Sequence, residues 1–199
     1  MMYCDKMKAL IGGWRQVWKQ GDFPFYFVQL ANYQNVQHPE FTDSRWAELR
    51  EAQATALALP NTGMAVAIDI GDPKDIHPRN KQDVGLRLAL NALARTYGQE
   101  VECCGPRYRA FRRDGSKLVL AFDHADGLCA RGGRPERFGI AGDDGVFHKA
   151  EAVICGATVE LSCAAVPVPM AARYGWGDNP VCNLYNAAGL PMEPFRSAC

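Results

Sequence analysis

The sequence predicts an α/β protein: a parallel sheet with covering helices over residues 1–99, followed by a small β-rich, sandwich-like unit over residues 100–199. Two observations carry this. Up to Tyr97 the apolar residues switch between helical and strand spacing in the order helix, strand, helix, strand, helix, the alternation that builds parallel sheets. Beyond Tyr97, turn clusters such as Cys104-Gly105-Pro106, Arg113-Asp114-Gly115-Ser116, Arg131-Gly132-Gly133 and Gly142-Asp143-Asp144-Gly145 recur at short intervals, as in an all-β unit.

The first helix is expected over Asp5 to Gln20, where Met7, Leu10, Ile11, Trp14, Val17 and Trp18 fall at three- and four-residue spacings, and Gly21 stops it. Phe23 to Ala31 is a short aromatic and β-branched run suited to a strand buried on both faces. Asn32 to Phe41 reads as a polar loop. Thr42 or Asp43 can cap a second helix through about Ala58, with Trp46, Leu49, Ala52, Ala56 and Leu59 as its apolar stripe. Met64 to Ile70 is the second buried strand, and after the loop Gly71 to Pro78 a long helix runs from about Arg79 to Tyr97. Further on, Lys117 to Phe122 and Thr158 to Cys163 read as strands. Two parallel strands are too few for a stable sheet with helices on both faces, so the α/β portion reads as incomplete.

Lys plus Arg equals Asp plus Glu at 22 each, with no block of like charge, so neither nucleic acid nor an anionic membrane is an expected partner. A small neutral substrate fits better. No apolar run approaches the roughly 20 residues of a membrane span, and the chain reads as soluble. None of the eight cysteines forms a C-x-x-C pair; most sit in apolar or β-like runs and are expected to be small buried hydrophobes. No metal and no cofactor is expected, and the oligomeric state stays open.

One stretch concentrates titratable groups: Asp69, Asp72, Asp75 and His77, in a loop expected at the carboxyl end of a parallel strand, where sites of such sheets lie. An imidazole can take the proton of a nucleophile and return it to the leaving group, while a nearby carboxylate fixes its tautomer. Pro78 can open the next helix at its first turn, holding His77 at the helix mouth. The same residues also suit a capped turn with a loop histidine. At the end of the first strand Gln29 and Asn32 are candidate substrate contacts or structural amides, and His38 is placed to approach the site. His124 and His148 read as turn or surface histidines; Tyr174 and Trp176 read as packing residues between the two portions.

The string Ile76-His77-Pro78, followed by Arg79 and then Lys81-Gln82 opening a helix, resembles the last block of SGNH hydrolases in their sialate O-acetylesterase branch. Gly21 to Asn32, Trp46 to Gln53, Phe122-Asp123-His124, Phe138 to Gly142, Arg173 to Pro180 and Asn183 to Arg196 are similar to the same branch, so the resemblance covers nearly the whole chain. It implies the C-terminal part of a flavodoxin-like SGNH esterase domain, then a β-rich domain, in a serine esterase that removes O-acetyl groups from sialic acid or another acetylated sugar. It implies His77 as base, with Asp75 or Asp72 as the orienting acid, because Lys74 stands where such enzymes usually place the aspartate. The family's Gly-Gln-Ser-Asn and Gly-Glu-Ser-Asn blocks are absent, and Ser44, Ser116, Ser162 and Ser197 lack the setting of an activated nucleophile. The chain alone is therefore expected to be inactive, or to serve as a carbohydrate-binding remnant. A parent that is secreted or periplasmic is compatible with the resemblance.

Overall fold

A computed structural model describes residues 3–34 and 43–197. Helix α1 (Tyr3–Trp18) leads into strand β1 (Phe25–Val28), helix α2 (Arg45–Ala54) with a 3-10 turn at Thr55–Ala58, strand β2 (Thr62–Ala65) and helix α3 (Lys81–Arg95). β1 and β2 pair in parallel, Phe25 opposite Thr62 through Val28 opposite Ala65, as the alternation requires. Tyr26 reaches Thr96 beyond α3 with its hydroxyl at 2.6 Å, whereas its neighbour Phe25 packs edge-on against Trp14 of α1. Successive side chains point to opposite faces, so helices cover both sides of the pair. Gly63 lets α3 approach: a Cβ there would meet the Asn91 amide and the Tyr26 ring.

The remaining strands are β3 (Arg107–Asp114), β4 (Lys117–Asp123), β5 (Cys129–Ala130), β6 (Phe138–Ala141), β7 (Phe147–Lys149), β8 (Glu151–Cys155), β9 (Thr158–Ser162), β10 (Ala171–Tyr174), β11 (Leu184–Tyr185) and β12 (Phe195–Arg196). They form two four-stranded sheets, in the orders β3-β4-β9-β8 and β12-β10-β6-β7, and the short pair β11-β5. All their pairings are antiparallel, so antiparallel sheet dominates the described structure and the parallel portion is limited to two strands. Alternating burial along β4 turns Leu118, Leu120 and Phe122 inward, opposite Phe138, Ile140 and Tyr174 in one apolar cluster that also takes in Met7, Ile11, Phe27, Met64 and Ile68.

Several local expectations are corrected. The periodic stripe of α1 divides: Met7, Ile11 and Arg15 are buried, while Leu10, Trp14, Val17 and Trp18 are exposed. The inward face is set by the Arg15 guanidinium, which donates to the Phe23 and Pro60 carbonyls at 2.8 and 2.7 Å. α2 turns inward Ala47, Arg50 and Gln53, while of its expected stripe Ala56, in the 3-10 turn that follows, is fully buried and Leu59 packs against the core. Its cap is Ser44, whose Oγ accepts from the Ala47 N–H at 3.0 Å, not Asp43; Thr42 lies outside the described residues, as do most of the loop after Asn32 and His38. α3 starts at Lys81 under the Asn80 cap, so Pro78 precedes the helix instead of opening its first turn. Of the cysteines, Cys104 and Cys182 are buried while Cys129 and Cys155 are exposed, so the general expectation of burial fails.

Arg50 is fully buried and ties the chain's two portions together. Nε donates to the Leu30 carbonyl at 2.9 Å, Nη1 to Gly177 at 2.7 Å, and Nη2 to Ala31 at 3.1 Å and Asp178 at 2.8 Å. Burial pushes its pKa down to about 10, partly offset by Cys182 and Asp178. Arg50→Met strands the carbonyls of Leu30 and Gly177, whereas Ala31 keeps the Trp46 indole at 2.8 Å and Asp178 the Tyr33 N–H at 3.1 Å. The expected loss is about 3–5 kcal/mol in denaturant titration, and Arg50→Lys recovers only part of it because one ammonium cannot span the four carbonyls.

Candidate active site

The candidate site is the segment from Asp69 to Asn80, between β2 and α3, at the carboxyl end of a parallel strand. Its start is anchored in the interior. Asp69 accepts both Arg87 nitrogens at 2.7 and 2.8 Å, a buried bidentate pair, and the Tyr185 hydroxyl at 3.2 Å. Burial, then Asp69, pushes the Tyr185 phenol up to about 12. Arg87 also donates to the Val66 carbonyl at 2.6 Å, so α3 holds the strand's end directly.

The turn that follows is stitched to the β1 exit. Asn32 Oδ1 accepts the Gly71 N–H at 2.7 Å, and Asn32 Nδ2 donates to Asn179 Oδ1 at 2.6 Å. Gly71 permits this closeness, because a Cβ at that position would collide with the Asn32 backbone. Asn179 is itself buried, on the segment that Arg50 grips.

Past this anchor the loop opens to solvent. Asp72 accepts the Lys74 N–H at 2.9 Å and pairs with Arg79 at 3.6 Å. A single oxygen of Asp75 accepts the His77 N–H at 2.9 Å and lies 3.1 Å from His77 Nδ1. The imidazole side chain is 82% exposed. Hydrogen bonds from the His77 backbone and then its ring hold the Asp75 carboxyl below the usual aspartate range, with burial acting weakly the other way.

Of the site residues expected from sequence, His77 and Asp75 are brought together, while Asp72 is engaged by Lys74 and Arg79 instead. Gln29 is 1% exposed and its amide Nε2 donates to the Arg50 carbonyl at 3.1 Å, which places it in the interior as a structural amide. Asn32 is committed to Gly71 and Asn179. Arg50, Arg87 and Asn179, which hold the site's frame, have no signal in the sequence apart from a charge or amide within an otherwise apolar pattern. Ser44 caps α2 and donates to Asp178 at 2.6 Å, and the Ser197 hydroxyl accepts from Ala172 at 2.9 Å; among the described residues, no serine is bonded to the His77 ring. Tyr174 and Trp176 are buried packing residues, as expected.

No family model matches the chain. It is 39% identical over 113 residues to the rat sialate O-acetylesterase and 34% identical over 113 residues to the human one, in each case half of this chain. The solved structure of a carbohydrate acetylesterase from Xanthomonas citri superposes with a TM-score of 0.90 at 45% identity over 98% of the chain. The chain is related to the sialate O-acetylesterases. It spans 21% and 22% of the length of those two curated relatives and 46% of the solved acetylesterase. The relatives are ester hydrolases by name, and the mixed α/β architecture with β-rich sheets agrees with that of the solved acetylesterase. Among the described residues, no helix is long and apolar enough to cross a membrane.

The Asp75 contact has a direct readout. Its carboxyl is expected to titrate below the ordinary value of about 3.9, and His77→Ala, which removes the ring but not the backbone N–H, is expected to move it part of the way back. Because the folded value is depressed, the stabilisation is present above about pH 3.9 and is lost as pH falls through the folded value. Carboxyl NMR titration checks both; an Asp75 titrating at the ordinary value shows that the pair does not form.

Proposed function

We propose that this chain is the C-terminal part of an SGNH-type serine esterase that removes O-acetyl groups from sialic acid, with residues 1–99 completing its α/β domain and residues 100–199 forming a β-rich companion domain. His77 is the general base and acid, and Asp75 orients it. The observation that carries this is the Asp75–His77 contact of 3.1 Å at Nδ1, on a loop leaving a parallel strand. With Nδ1–H donated to Asp75, Nε2 of the exposed ring is the lone-pair nitrogen available to a hydroxyl.

In the reaction, Nε2 takes the proton of a serine hydroxyl supplied from outside this chain as its oxygen bonds to the acetyl carbon. The tetrahedral intermediate collapses, the sugar C–O–acyl bond breaks, and His77 returns the proton to the sugar oxygen. Water, deprotonated by the same nitrogen, then attacks the acetyl carbon, the bond to the serine oxygen breaks to release acetate, and His77 returns the proton to the serine. The unpaired edges of the two-stranded parallel sheet and the exposed Trp14 and Trp18 of α1 accord with an α/β domain completed by further chain. In this reading Gln29 and Asn32 act behind the substrate, holding the two exit loops in register.

The sugar has a second reading, another acetylated carbohydrate such as acetylated xylan, favoured by the broader name of the Xanthomonas citri neighbour. The chain alone is expected to hydrolyse none of these esters. In the longer esterase, His77→Ala is expected to lower kcat/KM on O-acetylated sialic acid by about 10²–10⁴-fold. Asp75→Asn is expected to approach that loss, and Asp72→Asn to leave the rate near wild type. Full turnover in the His77 variant overturns the assignment, and a loss confined to Asp72→Asn moves the acid to Asp72. Parallel assays on acetylated xylan separate the two sugars.

A further inference from the structure

A second cluster of titratable groups lies away from the His77 loop, where the chain passes from α3 to β3. The ligand atoms of Glu102, Cys103 and Cys104 all lie within 4.8 Å of one another. The two sulfurs are 3.7 Å apart. Two thiolates on one tetrahedral ion, each at about 2.3 Å, stand about 3.8 Å apart, so the adjacent thiols already hold the separation of a shared metal. A disulfide would need the sulfurs to close to about 2.05 Å.

The carboxylate is set in place by the same backbone. One oxygen of Glu102 accepts the N–H groups of Cys103 and Cys104 at 2.8 and 3.0 Å, and the other faces His124 Nδ1 at 3.1 Å. His124 has a positive φ of 56°, a conformation costly for a residue with a side chain. The buried Asn186 amide holds both parts, donating to the Cys104 carbonyl at 2.8 Å and the His124 carbonyl at 3.0 Å. Arg95 Nη2 lies 3.2 Å from the Cys104 sulfur. Two thiolates and one carboxylate around a divalent cation leave one negative charge, which this guanidinium balances.

We propose that Glu102, Cys103 and Cys104 form a binding site for a thiophilic divalent cation of the zinc class, with a fourth coordination position open to water. Sulfur-rich donor sets select such ions over magnesium and calcium, which prefer oxygen alone. The donors come from consecutive residues, and Cys103 and Glu102 are partly exposed, so an ion can enter without unfolding the junction. Thiols bind such an ion as thiolates, so binding releases protons and weakens as pH falls.

Cadmium is the probe, because its thiolate complexes absorb in the ultraviolet. The 199-residue chain, kept reduced with a non-thiol reductant, is titrated with Cd²⁺ while charge-transfer absorbance, bound metal and released protons are followed. One tightly bound Cd²⁺ per chain is expected, displaceable by Zn²⁺. Cys103→Ser is expected to abolish the two-thiolate band and weaken binding about 100-fold or more, and Glu102→Gln to weaken it about tenfold with the band retained. Both sites are partly exposed, which protects the test from misfolding of the more buried Cys104→Ser variant; Cys129→Ser, at an exposed thiol, is expected to bind as the native chain does. Absence of stoichiometric Cd²⁺, an unchanged band in Cys103→Ser, or native affinity in Glu102→Gln overturns the site.

Discussion

A single buried guanidinium organises the frame on which the candidate site stands. Arg50 leaves the inward face of α2 and donates to four carbonyls, two at the exit of β1 and two in the Gly177-Asp178 segment that follows β10. A buried cation is costly unless its donors are all matched, and the planar fork of arginine can match several acceptors at once where lysine cannot. The exit of β1 is thereby locked to a segment nearly 150 residues later in the chain, and Asn179 in that segment meets Asn32, which in turn holds Gly71. The position of the His77 loop is therefore set from three directions: Asn32 from β1, Arg87 from α3, and Tyr185 from β11.

The loop has a graded construction. Its root, around Asp69, is interior and doubly bonded to arginine, while its tip carries Asp75 and His77 in the open. A base intended to meet a nucleophile must present one ring nitrogen outward and have the other held, and a rigid root with an exposed tip does both. The same openness accords with the proposal that further chain completes the α/β layer, as do the two parallel strands and an α1 face bearing Trp14, Val17 and Trp18 toward solvent. The β-rich portion contributes to the site from behind, through Asn179 and Tyr185.

Much of this was legible in the sequence. The alternation of periods located the helices and the first strand of the first portion to within a few residues and required the parallel pairing, although the second strand, expected over Met64 to Ile70, ends at Ala65, and the density of acids around His77 singled out the loop. Periodicity failed where polar groups took inward positions. Arg15 turns the α1 stripe so that four of its six residues face out, and Arg50 and Gln53 replace apolar residues on α2, because carbonyls at loop exits need donors. Pairing of Asp75 over Asp72 depended on a two-residue turn whose geometry spacing alone does not determine, and the proximity of Glu102 to His124 depends on a left-handed residue and on Asn186, far away in sequence. Ile76-His77-Pro78 pointed to the right relatives, but the extent of each relative that this chain covers emerges only from comparison.

The central claim, that His77 activates a nucleophile carried outside these residues, is tested most directly by the reaction of that nucleophile itself. A fluorophosphonate probe labels a serine only when a neighbouring base accepts its proton, and it reports activation independently of which acetylated sugar is turned over. In the longer esterase, one serine outside this chain is predicted to label rapidly, and folded His77→Ala protein to label at background rate. Labelling of the His77→Ala protein at the native rate, or rapid labelling of a serine within the 199 residues, would contradict the account.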